Sequence, residues 1–287
     1  MWIIRYKPSK LIYYKAILFQ GKRMPELPIF VVNLDGSDDR LSKISTALNA
    51  QGGSFTRISA YDGRKANQND IPEYDSAGCR NYIGRDLNRG EIGCYFSHIF
   101  AAKQFLATGA KFGLVLEDDA ELSTNAIALV KTLVAQQTKA PKKWFLCHLA
   151  DPKMNFLSAI ETFAVNDDRR TLYRAHYFPM TTTALLWSRT GAQEFLNTCL
   201  PMQCPVDNFM RKWLITNDCG IAVQPPIFST TGASSEIDRV ANVNTRNKEK
   251  RVPFFGAKKA RRIIGEKIKA SRYLLCFRMR KFFSKQA

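Results

Sequence analysis

The apolar run Phe112-Gly113-Leu114-Val115-Leu116 ends abruptly in three carboxylates, Glu117-Asp118-Asp119. Five residues of this composition, with β-branched Val115 among them, predict a buried strand. In an open α/β sheet a buried strand delivers its last residues to the carboxyl edge, where ligands bind. Glu117 and Asp119 are separated by one residue and can turn toward a common point there. Hard oxygen ligands at that spacing suit Mg²⁺ or Mn²⁺ carrying a diphosphate. The plainer reading is that the acids solvate a loop and favour the N-terminus of a helix expected from Ser123 to Gln137.

The segments before this strand build the same kind of sheet. Pro28 to Leu34 is apolar on both faces, as a central parallel strand is. A polar turn, Asp35 to Arg40, leads into a helix expected over Asp38 to Ala50, with Leu41, Ile44 and Leu48 on one face. A second short strand is expected over Ser54 to Ser59, followed by Ala60-Tyr61-Asp62-Gly63. This β-α-β unit puts the strand ends near Asn33 and Asp62 at one edge. Neither a G-x-G-x-x-G nor a Walker A loop occurs, which disfavours dinucleotide-binding and P-loop folds. Residues 64 to 87 read as an irregular loop. At Asn88 a helix opens, and Glu91 three residues on gives the spacing of a capping box. Glu91 and His98, seven apart, project from one side of it.

Beyond the acidic strand end, strands are expected over Lys143 to Leu149, ending near Asp151, over Met180 to Trp187, and over Ile221 to Val223. Residues 152 to 178 read as a loop or hairpin over the site. Helices are expected over Gly191 to Leu200 and from Pro205 onward, with Asp207 in the first turn, where it can complement the helix dipole. Pro225-Pro226 is expected to end regular structure.

The formal charge of +18 is uneven. From Lys248 to Lys285 there are 14 Lys or Arg against Glu249 and Glu266, so this stretch holds 14 − 2 = +12 and the remainder about +6. Ile264, Ile268, Leu275, Met279 and Phe282 fall at near-helical spacing among these cations. A basic amphipathic helix of this kind suits an anionic membrane surface, and its aromatic and aliphatic residues would be wasted on nucleic acid phosphates. The seven cysteines are odd in number and contain no C-x-x-C pair, which fits a reducing cytoplasm better than a disulfide framework or a zinc site. Met1 to Gln20 alternates apolar residues with Arg5, Lys7, Lys10 and Lys15, so no secretory signal or 18-residue apolar span develops. The expected organisation is a basic N-terminal extension (1–27), a catalytic α/β domain (28–230), and a linker with a basic amphipathic tail (231–287).

These segments resemble glycosyltransferase family 25, the lipooligosaccharide-type galactosyltransferases. The residues that carry the resemblance are Phe30 to Asp35 with Ser37 and Asp39-Arg40, then Ala60-Tyr61-Asp62-Gly63, Leu87 to Cys94 with Ser97-His98, and Leu116-Glu117-Asp118-Asp119. Arg189 to Ala192 and Pro205-Val206-Asp207 are weaker echoes. The resemblance spans about residues 28 to 228 in the family's order. It implies a GT-A-like fold, a Rossmann-type mixed sheet flanked by helices, in which Glu117-Asp118-Asp119 stands for the metal-binding D-x-D. It also implies a UDP-sugar donor, most often UDP-galactose, transferred with inversion to a glycan or glycolipid acceptor.

On this reading Asp119 holds the Mn²⁺ or Mg²⁺ ion, with Glu117 acting through water. Asp207 is the first candidate for general base and Asp151 the second. Glu91, Ser97 and His98 position substrate, and Asn33 and Asp62 meet uridine. The expected setting is the bacterial cytoplasm, peripheral on the inner face of the cytoplasmic membrane. Alternatives are a noncatalytic carbohydrate or membrane adaptor on the same fold, and a nucleic-acid-binding protein using the basic tail.

Overall fold

The computed structural model describes residues 27–65, 70–139, 143–151, 153–231 and 251–283. Residues 1–26 of the N-terminal extension, the linker from 232 to 250 and the last four residues lie outside the described residues. The chain opens with β1 (Ile29–Asn33), α1 (Asp38–Ala50) and β2 (Thr56–Ser59), and continues after two further helices, α2 (Ser76–Ile83) and α3 (Arg89–Ala107), into β3 (Phe112–Glu117). β1 pairs in parallel with both β2 and β3, with Val32 opposite Glu117 and Asn33 opposite Ser59. Three strand ends therefore reach one edge of the sheet.

Alternation along these strands sorts their side chains between two cores. Ile29, Val31, Leu114 and Leu116 face a cluster with Ile44 and Leu48 of α1. Phe30 and Val115 face the opposite cluster, with Tyr95, Ala102 and Phe105 of α3. Residues apolar on both faces are what a strand needs when helices cover both sides. The rest of the chain adds β4 (Ala120–Leu122), α4 (Ala126–Lys139), β5 (Leu146–His148), β6 (Leu157–Val165), β7 (Asp168–Ala175), β8 (Ala184–Ser188), α5 (Arg189–Thr198), α6 (Val206–Asn217), β9 (Gly220–Gln224), β10 (Phe228–Thr230) and α7 (Phe255–Phe283). The large sheet runs β2-β1-β3-β8-β5-β9-β7-β6. It is mixed and flanked by helices, as the expected α/β, Rossmann-type fold requires. β8 is antiparallel to β3 and β5, so the Thr-rich segment preceding β8 lies at the same edge as Glu117, whose amide donates to the Thr183 carbonyl at 2.9 Å.

Four expectations are corrected. Residues 64 to 87 contain α2, capped by Asp75, whose side chain accepts from the Gly78 amide at 2.8 Å. Residues 152 to 178 form the β6–β7 hairpin, which extends the far end of the sheet instead of covering the site. Regular structure continues past Pro225-Pro226, because β10 pairs antiparallel with β4 immediately after the three carboxylates. The basic tail helix also does not stand apart from the body. Arg251 donates to the Ile83 carbonyl at 2.7 Å, the Val252 amide to that of Gly84 at 2.9 Å, and Tyr273 to that of Thr216 at 3.2 Å. Arg262 lies over the Tyr82 ring at 3.8 Å from its centroid. Gly84, at φ +81°, carries the Phe255 ring where any Cβ would clash at 2.5 Å. None of the described helices is long and apolar enough to cross a membrane.

Candidate active site

The three carboxylates at the end of β3 have three different environments. Asp118 is held within the protein: Asn33 donates to its Oδ2 at 2.8 Å and Arg40 to its Oδ1 at 3.1 Å. Burial still outweighs those two partners and raises its carboxyl above the ordinary range. Glu117 accepts from Thr182 Oγ1 at 2.6 Å and lies 3.6 Å from His98 Nε2. Burial works against its charge, but His98, Thr182 and Arg40 prevail and hold it below the ordinary range. Asp119 has the least support. Its Oδ2 is 3.4 Å from Thr230 Oγ1, and its Oδ1 is buried without a hydrogen-bond partner among the described residues. Burial, then the charges of Glu117 and Asp118, push its carboxyl up to about 6. An orphaned, buried, acceptor-only oxygen beside a second carboxylate fits a hard divalent cation.

Three cavities reach the acidic strand end; one of about 1060 Å³ lies against α1 and β10 and touches Asp118 and Asp119 but not Glu117, and the other two meet at Glu117. The smaller, about 160 Å³, lies over the ends of β1 and β2 and is walled by Tyr61, Asp62, Gly63, Gly93 and Ser97. The larger, about 800 Å³, is walled by Thr181 to Thr183, Asp207, Arg211 and the start of α7. Cys94, Glu117 and Asp119 line both. The small cavity depends on close backbone approach. A Cβ on Gly63 would sit 1.8 Å from the Arg89 carbonyl oxygen, and one on Gly93 would sit 2.7 Å from that of Tyr61.

The remaining candidates fall into different roles. Asn33 is buried and lines neither cavity; its amide donates to Asp118 and to the Ser37 carbonyl, and its Oδ1 accepts from Arg57 at 2.9 Å. Asp62 lines the small cavity, paired with Arg64 at 2.6 and 2.8 Å, and that pairing lowers its carboxyl. Ser97 accepts from the Tyr61 amide at 2.9 Å and donates to the Gly93 carbonyl at 2.7 Å, which fixes the cavity wall.

Glu91 completes the expected capping box with Asn88 and also takes two bonds of 2.7 Å from Arg85. His98 is buried beside Glu117. Asp207 lines the large cavity with its Oδ1 accepting from Asn208 twice, at 2.7 and 3.0 Å; burial outweighs those bonds and raises its carboxyl. Asp151 sits in the turn after β5, where its Oδ1 accepts from the Lys153 amide at 2.8 Å, and it lines neither cavity.

Four residues of the site carry no role in the sequence reading, Thr182, Arg40, Arg211 and Cys94, although Arg40 and Cys94 lie in segments that carry the family resemblance. Thr182 stood in an unusual Thr-Thr-Thr run, but nothing in the run pointed to Glu117.

The chain matches the family model for glycosyltransferase family 25 (LPS biosynthesis protein) over residues 26–210. It is 26% identical over 193 residues to procollagen galactosyltransferase 1-B of Xenopus laevis, covering 63% of this chain and 30% of that protein. It is 24% identical over 213 residues to procollagen galactosyltransferase 1 of Danio rerio, covering 69% and 33%. It is 28% identical over 191 residues to the Bos taurus protein named "Probable inactive glycosyltransferase 25 family member 3", covering 63% and 31%. The chain thus spans about a third of the length of these relatives. With the carboxylate strand end, the capped α3 and the Asp207 turn all inside the matched segment, the chain belongs to glycosyltransferase family 25.

Proposed function

We propose that this chain is a metal-dependent inverting glycosyltransferase that moves a sugar, galactose first, from a UDP-sugar to a lipooligosaccharide or other surface glycan. One observation carries the reading: Glu117 and Asp119 line both cavities, so a donor in one and an acceptor in the other would meet at the carboxylates. The galactose assignment draws on the relatives named as galactosyltransferases. Asp119, with Glu117, would hold Mn²⁺ or Mg²⁺. When bound, such an ion neutralises the charge that develops on the departing diphosphate.

The protein's own contribution is positional. The small cavity offers the Tyr61 ring and the backbone of Asp62 and Gly63 to the nucleoside. The large cavity presents the acceptor hydroxyl to Asp207. As the acceptor oxygen bonds to the anomeric carbon and the bond to the UDP oxygen breaks, the hydroxyl proton passes to the Asp207 carboxylate. Burial makes that carboxylate a stronger base than an exposed one. Asp151 is the weaker alternative for this role, because it lines neither cavity.

The tail supports a site on an anionic membrane, taken to be the inner face of the bacterial cytoplasmic membrane. One face of α7 packs on the body, while Ile264, Ile268, Leu275, Met279 and Phe282 on the remainder are 50–60% exposed among Lys and Arg. A noncatalytic adaptor on the same fold is the second reading, favoured by the relative named inactive. Incubation with a panel of UDP-sugars and Mn²⁺, with and without EDTA, separates the two: metal-dependent UDP release from one donor supports the enzyme, and no release from any supports the adaptor.

A further inference from the structure

The acidic strand end faces a second set of metal-binding groups that the donor chemistry does not use. Cys94 and His98 are four residues apart on α3, so they project from one face of the helix. That face lies against the end of β3. One ligand atom each from Cys94, His98 and Glu117 lie within 4.8 Å of one another. His98 Nε2 and Glu117 Oε1 lie 3.6 Å apart. Bonds of about 2.0–2.3 Å in a tetrahedral zinc site place ligand atoms roughly 3.3–3.7 Å apart, so this pair already has the separation that a shared ion imposes.

The His98 ring is a second, independent indication. It is 1% exposed, and neither of its nitrogens has a hydrogen-bond partner among the described residues. A buried imidazole ordinarily fixes its tautomer through at least one hydrogen bond; here Nε2 has only the Glu117 carboxylate at 3.6 Å, and Nδ1 has no partner among the described residues, which costs on the order of 1–3 kcal/mol. A metal ion at one nitrogen is an arrangement that accounts for a ring held in this position.

We propose that Cys94, His98 and Glu117 form a zinc site, with its fourth position open to the junction of the two cavities. Thiolate, imidazole and a single carboxylate are a borderline-soft donor set, unlike the all-oxygen set that Mg²⁺ or Mn²⁺ prefers. Binding replaces the Cys94 S–H bond with an S–Zn bond and releases the proton to solvent. The open position follows from the surface, because Cys94 and Glu117 both line the two cavities. The absence of a C-x-x-C pair does not exclude this site, because its third ligand comes from a distant strand. It shares Glu117 with the proposed donor-ion pair but does not use Asp119.

The test is Co²⁺ and Zn²⁺ binding to the full chain after chelator treatment, a readout independent of transferase activity. The expected result is one equivalent of Co²⁺ producing thiolate-to-cobalt charge-transfer absorption with tetrahedral visible bands, all displaced by Zn²⁺. Cys94→Ser should abolish the charge-transfer band, and Cys94→Ser and His98→Gln should each weaken zinc binding at least as much as loss of an outer-shell partner does, by about 10- to 100-fold or more. Asp119→Asn should retain the band, which separates this site from the donor-ion site; Cys276→Ser should also retain it. In the unmodified protein, Zn²⁺ should slow alkylation of Cys94 at least about 10-fold, a measurement that does not depend on a variant folding. No charge-transfer band, a band that survives in folded Cys94→Ser, or unchanged alkylation of Cys94 with zinc present would overturn the proposal.

Discussion

Asn33 donates its side-chain amide to Asp118 Oδ2 at 2.8 Å, and this bond separates one carboxylate of the acidic triplet from the other two. With Arg40 on its second oxygen, Asp118 is a structural acid that ties the end of β1 to the end of β3. Asp118 still borders the small cavity, but only Glu117 and Asp119 line both that cavity and the one beside Asp207. A ligand role for Asn33 conflicts with this arrangement, because its donor and acceptor atoms are already matched to protein.

Asp119 should show its environment in stability as well as in activity. Its folded carboxyl titrates near 6, against 3.8 ordinarily, so between those values the folded state holds the proton more tightly than the unfolded state. Unfolding then releases a proton, and the group's contribution to stability falls as pH rises from about 4 to about 6. Asp119→Asn should therefore be more stable than the parent above pH 6 by on the order of 1–2 kcal/mol, after allowance for partial exposure. The difference should vanish near pH 4. Urea denaturation of metal-free protein at pH 4.5 and 7.5 measures both.

Glu91 should prove important to the fold more than to the donor. Arg85 and Glu91 are both about 8% exposed and doubly bonded. Removing the cation leaves a buried acid without its counter-charge. Arg85→Met should cost roughly 3–5 kcal/mol of stability. Donor KM in the folded fraction should change less than about threefold. A thermal melt beside steady-state kinetics decides it.

The turn after β2 should tolerate no side chain at Gly63. Its Cβ would fall 1.8 Å from a backbone oxygen of α3, and neither backbone can yield cheaply. Gly63→Ala should lower stability by more than about 2 kcal/mol and weaken UDP binding by at least about 10-fold. Calorimetric titration with UDP and Mn²⁺ reports the second effect.

The exposed face of α7 should account for any lipid binding. Truncating the helix would also strip the large cavity of one wall, so point changes are the cleaner probe. Ile268→Ser, Leu275→Ser and Phe282→Ser combined should reduce sedimentation with anionic liposomes by at least about 10-fold while leaving the melting temperature within a few degrees. Equal sedimentation of the triple variant would remove the membrane assignment.

Much of the half of the site built on local pattern was legible in the sequence. The apolar run ending in three acids is β3 with its carboxylates at the sheet edge, and Asn88 with Glu91 is the capping box of α3. Both signals are short-range, set by period and spacing. What escaped depends on distant pairing. Thr182 reaches Glu117 because β8 runs antiparallel beside β3, and β4 is stabilised by β10 more than a hundred residues later. The tail's amphipathic spacing was readable, but the spacing did not say that its other face would rest on α2 and α6.

We propose Glu117 and Asp119 as the reacting junction between a donor cavity and an acceptor cavity. This is tested most directly by measuring Mn²⁺-dependent UDP release from the preferred donor, with and without acceptor, for the parent chain, Asp119→Asn and Asp207→Asn. Asp119→Asn should lose both hydrolysis and transfer by at least about 100-fold. Asp207→Asn should lose transfer by a similar factor while keeping slow, metal-dependent hydrolysis. Parent-like UDP release by Asp119→Asn, equally insensitive to EDTA, would contradict it.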